Sequence, residues 1–125
     1  MDRQNTFADL KARVTAFRDA RDWARFHRPK DLAAALAIEA GELQELFLWK
    51  SHEEIDALLA TEAGRARLEE ELADVQIFLL HLAVCCGVDV SEAVARKLAN
   101  NEAKYPVDKS RGSAKKYTEL ERTGD

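Results

Sequence analysis

Apolar residues recur at helical spacing along nearly the whole chain, and no stretch alternates with period two for long enough to build a strand. That pattern confines the 125 residues to an all-helical fold. Chain breakers are scarce, two prolines and five glycines, and they fall between the periodic segments. Thr6 with Asp9 forms a capping-box pattern that opens a helix running to about Arg25. Residues 26–30 read as a connector, because Pro29 disfavours helix in the residue before it. Asp31 is expected to cap a second helix from Leu32 to about Lys50. Ser51 with Glu54 caps a short helix through Leu59, and Gly64 marks a break. A third long helix is predicted from about Arg65 to Cys86, closed by Gly87. Ser91 caps a fourth, which ends before Tyr105-Pro106. The remaining stretch, 107–125, reads as an extended tail, basic in its first half. Four main helices on short connections predict a four-helix bundle in one domain, 1–125.

Composition removes several classes of function. A net charge of -4 gives no basic surface for nucleic acid. No apolar run approaches the roughly 20 residues that span a bilayer, so no membrane partner is expected. The amino-terminal residues Met1 to Thr6 carry charge with no apolar segment behind it, unlike a signal peptide. The two cysteines, Cys85 and Cys86, are adjacent and form no disulfide framework. The expected compartment is the cytoplasm.

The most informative residues are acidic ones in apolar company. Projected at about 100° per residue, Leu32, Leu36, Leu43 and Leu46 share one face of the second helix, and Glu39 lies in the middle of it. Glu42 sits at the edge of that stripe. The third helix repeats the arrangement: Leu68, Leu72, Val75, Leu79 and Leu82 form a stripe, Glu71 lies inside it and Asp74 at its margin. A lone carboxylate facing a core becomes protonated or costs several kcal/mol. A divalent cation resolves the conflict, and an all-oxygen donor set suits Mg²⁺ or Mn²⁺. The plain alternative is a solvated helix face, since glutamates three apart are common there; Glu45, Glu69 and Glu70 project away from the stripes and fit it. Periodicity by itself leaves both readings open.

Two other metal or phosphate chemistries are disfavoured. Di-iron bundles add Glu-x-x-His on two helices, whereas His27, His52 and His81 follow Ala24, Trp49 and Phe78 at that spacing. Neither a Walker loop nor a Rossmann glycine fingerprint occurs.

Glu39-Ala40-Gly41-Glu42, followed after 28 residues by Glu71-Leu72-Ala73-Asp74, resembles the E-x-x-E…E-x-x-D motif of MazG-like nucleotide pyrophosphohydrolases. The likeness extends to Arg21-Asp22-Trp23, the run from Phe26 to Lys30 with His27, Leu46 to Lys50 with Trp49, and Lys104 to Val107. With Lys97, Asn101 and the run from Ser110 to Tyr117, these segments resemble the dCTP pyrophosphatase branch over roughly residues 17 to 120. The resemblance implies cleavage of a nucleoside triphosphate, dCTP or a modified dCTP, to monophosphate and pyrophosphate. It implies Mg²⁺ (Mn²⁺ as substitute) on Glu39, Glu42, Glu71 and Asp74, with Glu39 or Glu42 activating water. Lys97, Asn101, Lys104 and Arg111 would bind phosphates, while Trp23 and Trp49 would enclose the base. His27, Lys50 and Tyr105 join the substrate-binding set on the same ground. Taken from the residues alone, the cations also read as solvated helix ends and the tryptophans as core or interface anchors.

Past Val75 the third helix is apolar almost all round, with Ile77, Leu80 and Val84 opposite the Leu68 stripe. One layer of helices cannot bury both faces, so a second subunit is expected on the outer one. The resemblance implies homodimers or dimer-of-dimers tetramers. The competing functions are a broader triphosphate cleaver, a phosphoribosyl-ATP pyrophosphohydrolase and a non-catalytic helical adaptor.

Overall fold

The computed structural model describes residues 1–121. They form α1 (Phe7–Ala20), a 3₁₀ turn (Ala24–Phe26), α2 (Pro29–Glu45), α3 (His52–Leu59), α4 (Glu62–Cys86), α5 (Val90–Lys104), α6 (Val107–Ser110) and α7 (Tyr117–Glu121). The described residues contain no strand. The chain is therefore all-α. It divides into two compact units, the first Met1–Val88 and the second beginning at Asp89.

In the first unit α4 is the hub, and α1, α2 and α3 all pack against it. α2 runs antiparallel to α4: Glu39 meets Glu71, while His27, just ahead of α2, meets His81 near the far end of α4. Leu32, Leu46, Leu80 and Ala83 are buried there.

Local chemistry sets the ends of these helices. The Thr6 box is formed, with the Asp9 N–H donating to Thr6 Oγ1 at 3.1 Å and the Thr6 N–H to Asp9 Oδ2 at 2.7 Å. α1 stops at Ala20 instead of Arg25, because Asp22 takes the left-handed conformation, φ 54°, and turns the chain out of the helix. α2 starts at Pro29, not at Leu32. Proline lacks only an N–H that the first helical position leaves unpaired, so Pro29 begins the helix it was expected to precede. α2 also ends early, at Glu45, and a turn runs to Trp49, whose φ is 64°. The Ser51–Glu54 box and the Gly87 terminus, φ 66°, are as predicted.

Gly64 is the clearest correction. It lies inside α4, whose cap is Thr61; the Gly64 N–H donates to Thr61 Oγ1 at 3.0 Å. A Cβ on Gly64 would stand 2.0 Å from the Leu58 carbonyl oxygen, so this glycine permits a close approach of α3 and is not a break. At α5 the cap is Asp89 instead of Ser91, taking the Glu92 N–H at 2.8 Å. The stripe on α4 is rotated from the expected one. Leu72 and Leu79 remain 50% and 42% exposed, while Leu80, expected on the outer face, is buried where α1 packs.

Within the second unit, the predicted extended tail carries α6 and α7. The Tyr117 ring meets Tyr105 edge-on at 6.3 Å and takes Lys104 Nζ at 4.8 Å from its centroid, contacts that draw this segment toward the end of α5. The end of that tail, 122–125, lies outside the described residues. No single helix among the described residues is long and apolar enough to cross a membrane.

Candidate metal centre

The packed seam of α2 and α4 holds the acidic residues. Leu32 and Leu46 are buried and Leu36 and Leu43 half-buried, and Glu39 sits half-buried among them, as the periodicity predicts. Glu42, less than one turn on, is exposed; Glu71 and Asp74 are half-buried on α4. One carboxylate oxygen from each of Glu39, Glu42 and Glu71 lies within 4.8 Å of the others. Asp74 stands outside that triad, yet its negative charge acts on both Glu39 and Glu71.

The electrostatics follow from this crowding. Desolvation raises the Glu39 pKa above the ordinary 4.5, helped by a hydrogen bond with Glu42 and by the charges of Glu42, Asp74 and Glu71. Desolvation is also the first cause at Glu71, followed by the charges of Glu42 and Asp74, while Arg67 opposes the rise. Glu39 Oε2 and Glu71 Oε2 are buried without any hydrogen-bond partner. Buried polar atoms are ordinarily paired. Two orphaned carboxylate oxygens beside a third carboxylate therefore fit a hard divalent cation, and the donor set is all oxygen.

The other expected residues belong to other segments of the two units. Trp23 follows α1, half-exposed, with its ring edge-on to Phe17 at 5.8 Å and the Arg21 guanidinium 6.0 Å from its centroid. Trp49 is 93% exposed at its left-handed turn, and Lys50 beside it is exposed. A bulky residue at positive φ is strained backbone. His27 is half-buried, and its carbonyl accepts from Cys85 Sγ at 3.2 Å. Lys97, Asn101, Lys104, Tyr105 and Arg111 all belong to the second unit.

One residue of interest escaped the sequence reading. His81 is buried in α4 beside His27, a pairing that the histidine spacing does not reveal. The available signal was a histidine in an otherwise apolar run, seven residues after Asp74 and hence on nearly the same face.

Comparison with known proteins adds lineage to this geometry. The profile of the MazG-like family matches residues 34–120. Mouse dCTP pyrophosphatase 1 is 47% identical over 117 residues, 94% of this chain and 69% of its own length. The human protein of that name is 44% identical over 115 residues, 92% and 68% of the two chains. A dATP/dGTP diphosphohydrolase of cyanophage S-2L is 50% identical over 52 residues, 42% of this chain and 48% of its own. The crystal structure of a pyrophosphatase from Archaeoglobus fulgidus superposes with a TM-score of 0.73 at 42% identity, covering 79% of this chain and 91% of that one.

Proposed function

This chain belongs to the MazG-like family, and from that premise we propose that it hydrolyses nucleoside triphosphates to monophosphate and pyrophosphate. The observation that carries the reading is the convergence of Glu39, Glu42 and Glu71, two of them with an orphaned buried oxygen. The preferred substrate is dCTP or a modified dCTP, in keeping with the names of the mouse and human relatives.

The cation is Mg²⁺, with Mn²⁺ able to replace it, held by Glu39, Glu42, Glu71 and Asp74. When bound, it neutralises the triphosphate and polarises the anhydride bond between the α- and β-phosphates. The carboxylates divide by burial. Glu39 and Glu71 present their orphaned oxygens inward and are the principal ligands. Glu42 is the exposed member, nearest bulk water, and it orients and deprotonates the attacking water. Lys97, Asn101, Lys104 and Arg111 act as phosphate-binding cations and donors. Trp23, Trp49 and Tyr105 supply rings for the base and sugar, and His27 and Lys50 supply polar contacts.

The enzyme works as a homodimer or a tetramer of two dimers. Ile38, Leu72, Leu79 and Trp49 are 63%, 50%, 42% and 93% exposed, an apolar display more suited to a subunit interface than to water. Cys85 and Cys86 are both free thiols, in keeping with a cytoplasmic protein.

The test is a panel of canonical and modified deoxynucleoside triphosphates with pyrophosphate detection. Turnover on dCTP or its derivatives, abolished by EDTA and by Glu71→Gln, is the expected result. A helical adaptor without catalysis would give no metal-dependent pyrophosphate from any nucleotide.

A further inference from the structure

His81 is 5% exposed, set in the apolar end of α4, and its ring meets that of His27 edge-on with centroids 4.5 Å apart. The Nδ1 atoms of both rings are buried without a hydrogen-bond partner. An apolar side chain would fill the same space and leave no polar atom unpaired, so packing does not account for the imidazole. Phe78 adds a third ring, 6.3 Å from His81.

Two further facts bear on what the cluster can meet. His81 borders a pocket of about 410 Å³ between α1 and α4, whose walls include Val14, Phe17 and Leu80 and whose polar lining includes Gln76. Apolar walls with a few convergent polar groups are the usual make-up of a small-molecule site. His81 also lies seven residues beyond Asp74, about 10 Å along the axis of α4 and on nearly the same face. The imidazoles therefore lie at one end of the α2–α4 seam, with the carboxylates about two to three turns along it. A nucleotide with its phosphates at the carboxylates and its length along α4 would bring its base toward the histidines.

We propose that His81 is a specificity-determining residue that hydrogen-bonds the polar edge of the nucleobase, with His27 holding its ring in place. This rests on the nucleotide reading above. Burial favours the neutral form of both rings, and the charges of His27 and Arg18 act in the same direction at His81. A neutral imidazole offers one donor and one acceptor, the complement of a base edge that presents the same pair.

The experiment compares wild type, His81→Leu and His81→Gln on dCTP, dTTP, dATP and dGTP, resolving kcat from KM. For His81→Leu, KM for the best nucleotide should rise about tenfold or more with kcat little changed. Discrimination between best and worst nucleotide should shrink by about tenfold, the loss expected when a polar partner of the substrate is removed. His81→Gln, which keeps a donor and an acceptor, should recover part of that discrimination, and it carries the test alone if the leucine variant does not fold. In parallel, histidine ring resonances of the wild type are followed by NMR as deoxynucleoside monophosphates are added; those of His81 should move most with the monophosphate of the preferred base. Unchanged base ratios in both variants, with unmoved His81 resonances, would overturn the proposal. Moving resonances in a protein that cleaves no nucleotide would support the base site and refute the hydrolase reading.

Discussion

At the scale of single residues, the three converging glutamates differ in what each can do. Glu71 and Glu39 bury an oxygen with no partner, whereas Glu42 is open to water. Glu71→Gln should weaken divalent-cation binding by about tenfold or more, measured by calorimetry, and lose turnover with it. Glu42→Gln should retain most of the cation affinity and lose kcat by about 10² or more, the scale of general-base catalysis. Equal loss of affinity in both would show that burial does not divide their roles. The raised pKa values of Glu39 and Glu71 carry a stability consequence. A carboxyl with a folded pKa above its unfolded value favours folding below the unfolded value near 4.5, and that contribution is lost as pH rises through the folded value. Cation binding relieves the same repulsion. The rise in Tm produced by Mg²⁺, measured calorimetrically, should thus be larger at pH 7.5 than at pH 5; at a hundredfold excess over Kd it corresponds to about 2.7 kcal/mol.

At the scale of elements, two junctions bear weight. The first is the α3–α4 corner, where Gly64 lets the helix start pass the Leu58 carbonyl. Gly64→Ala should destabilise the fold by about 1–3 kcal/mol, the usual effect of overpacking, because the obstructing atom belongs to the backbone. Urea denaturation would measure this, and an unchanged midpoint would mean that the corner opens freely. The second is the α2–α4 seam at its histidine end. Burial lowers the pKa of His81 and His27 from the ordinary 6.5. The unfolded chain takes up protons near pH 6.5 while the folded rings resist, so stability present above 6.5 falls as pH drops from there toward the folded values. With saturating Mg²⁺ to suppress the opposite slope of the carboxylates, Tm should fall between pH 7 and pH 5.5. His81→Leu should flatten that slope.

At the scale of the whole molecule, the exposed apolar residues set the expectation. Leu72 and Leu79 lie about two turns apart on nearly one face of α4, and Trp49 stands almost fully in solvent on strained backbone. Size-exclusion chromatography with light scattering should give a mass that is a multiple of 14.1 kDa, two- or fourfold. A stable monomer at micromolar concentration would leave these residues without a covering partner and refute the proposed assembly. Trp49 fluorescence offers a second reading, because burial at an interface shifts its emission to shorter wavelength, and dilution below the dissociation constant would reverse the shift.

Much of the helix plan and the acidic motif was legible in the chain itself, because both rest on local spacing. Hydrophobic period, the Thr6 and Ser51 capping boxes and the left-handed Gly87 depend on neighbours within a turn or two, so the sequence contains their causes. Glu39 amid leucines was visible for the same reason. What the tertiary structure decided depends on partners distant in sequence. The backbone of α3 explains Gly64, the packing of α1 on α4 turns Leu80 inward and leaves Leu79 out, and the antiparallel meeting of α2 with α4 places His27 against His81. Helical periodicity specifies which side chains share a face. Only the packing of one helix on another determines which face is covered, and with what.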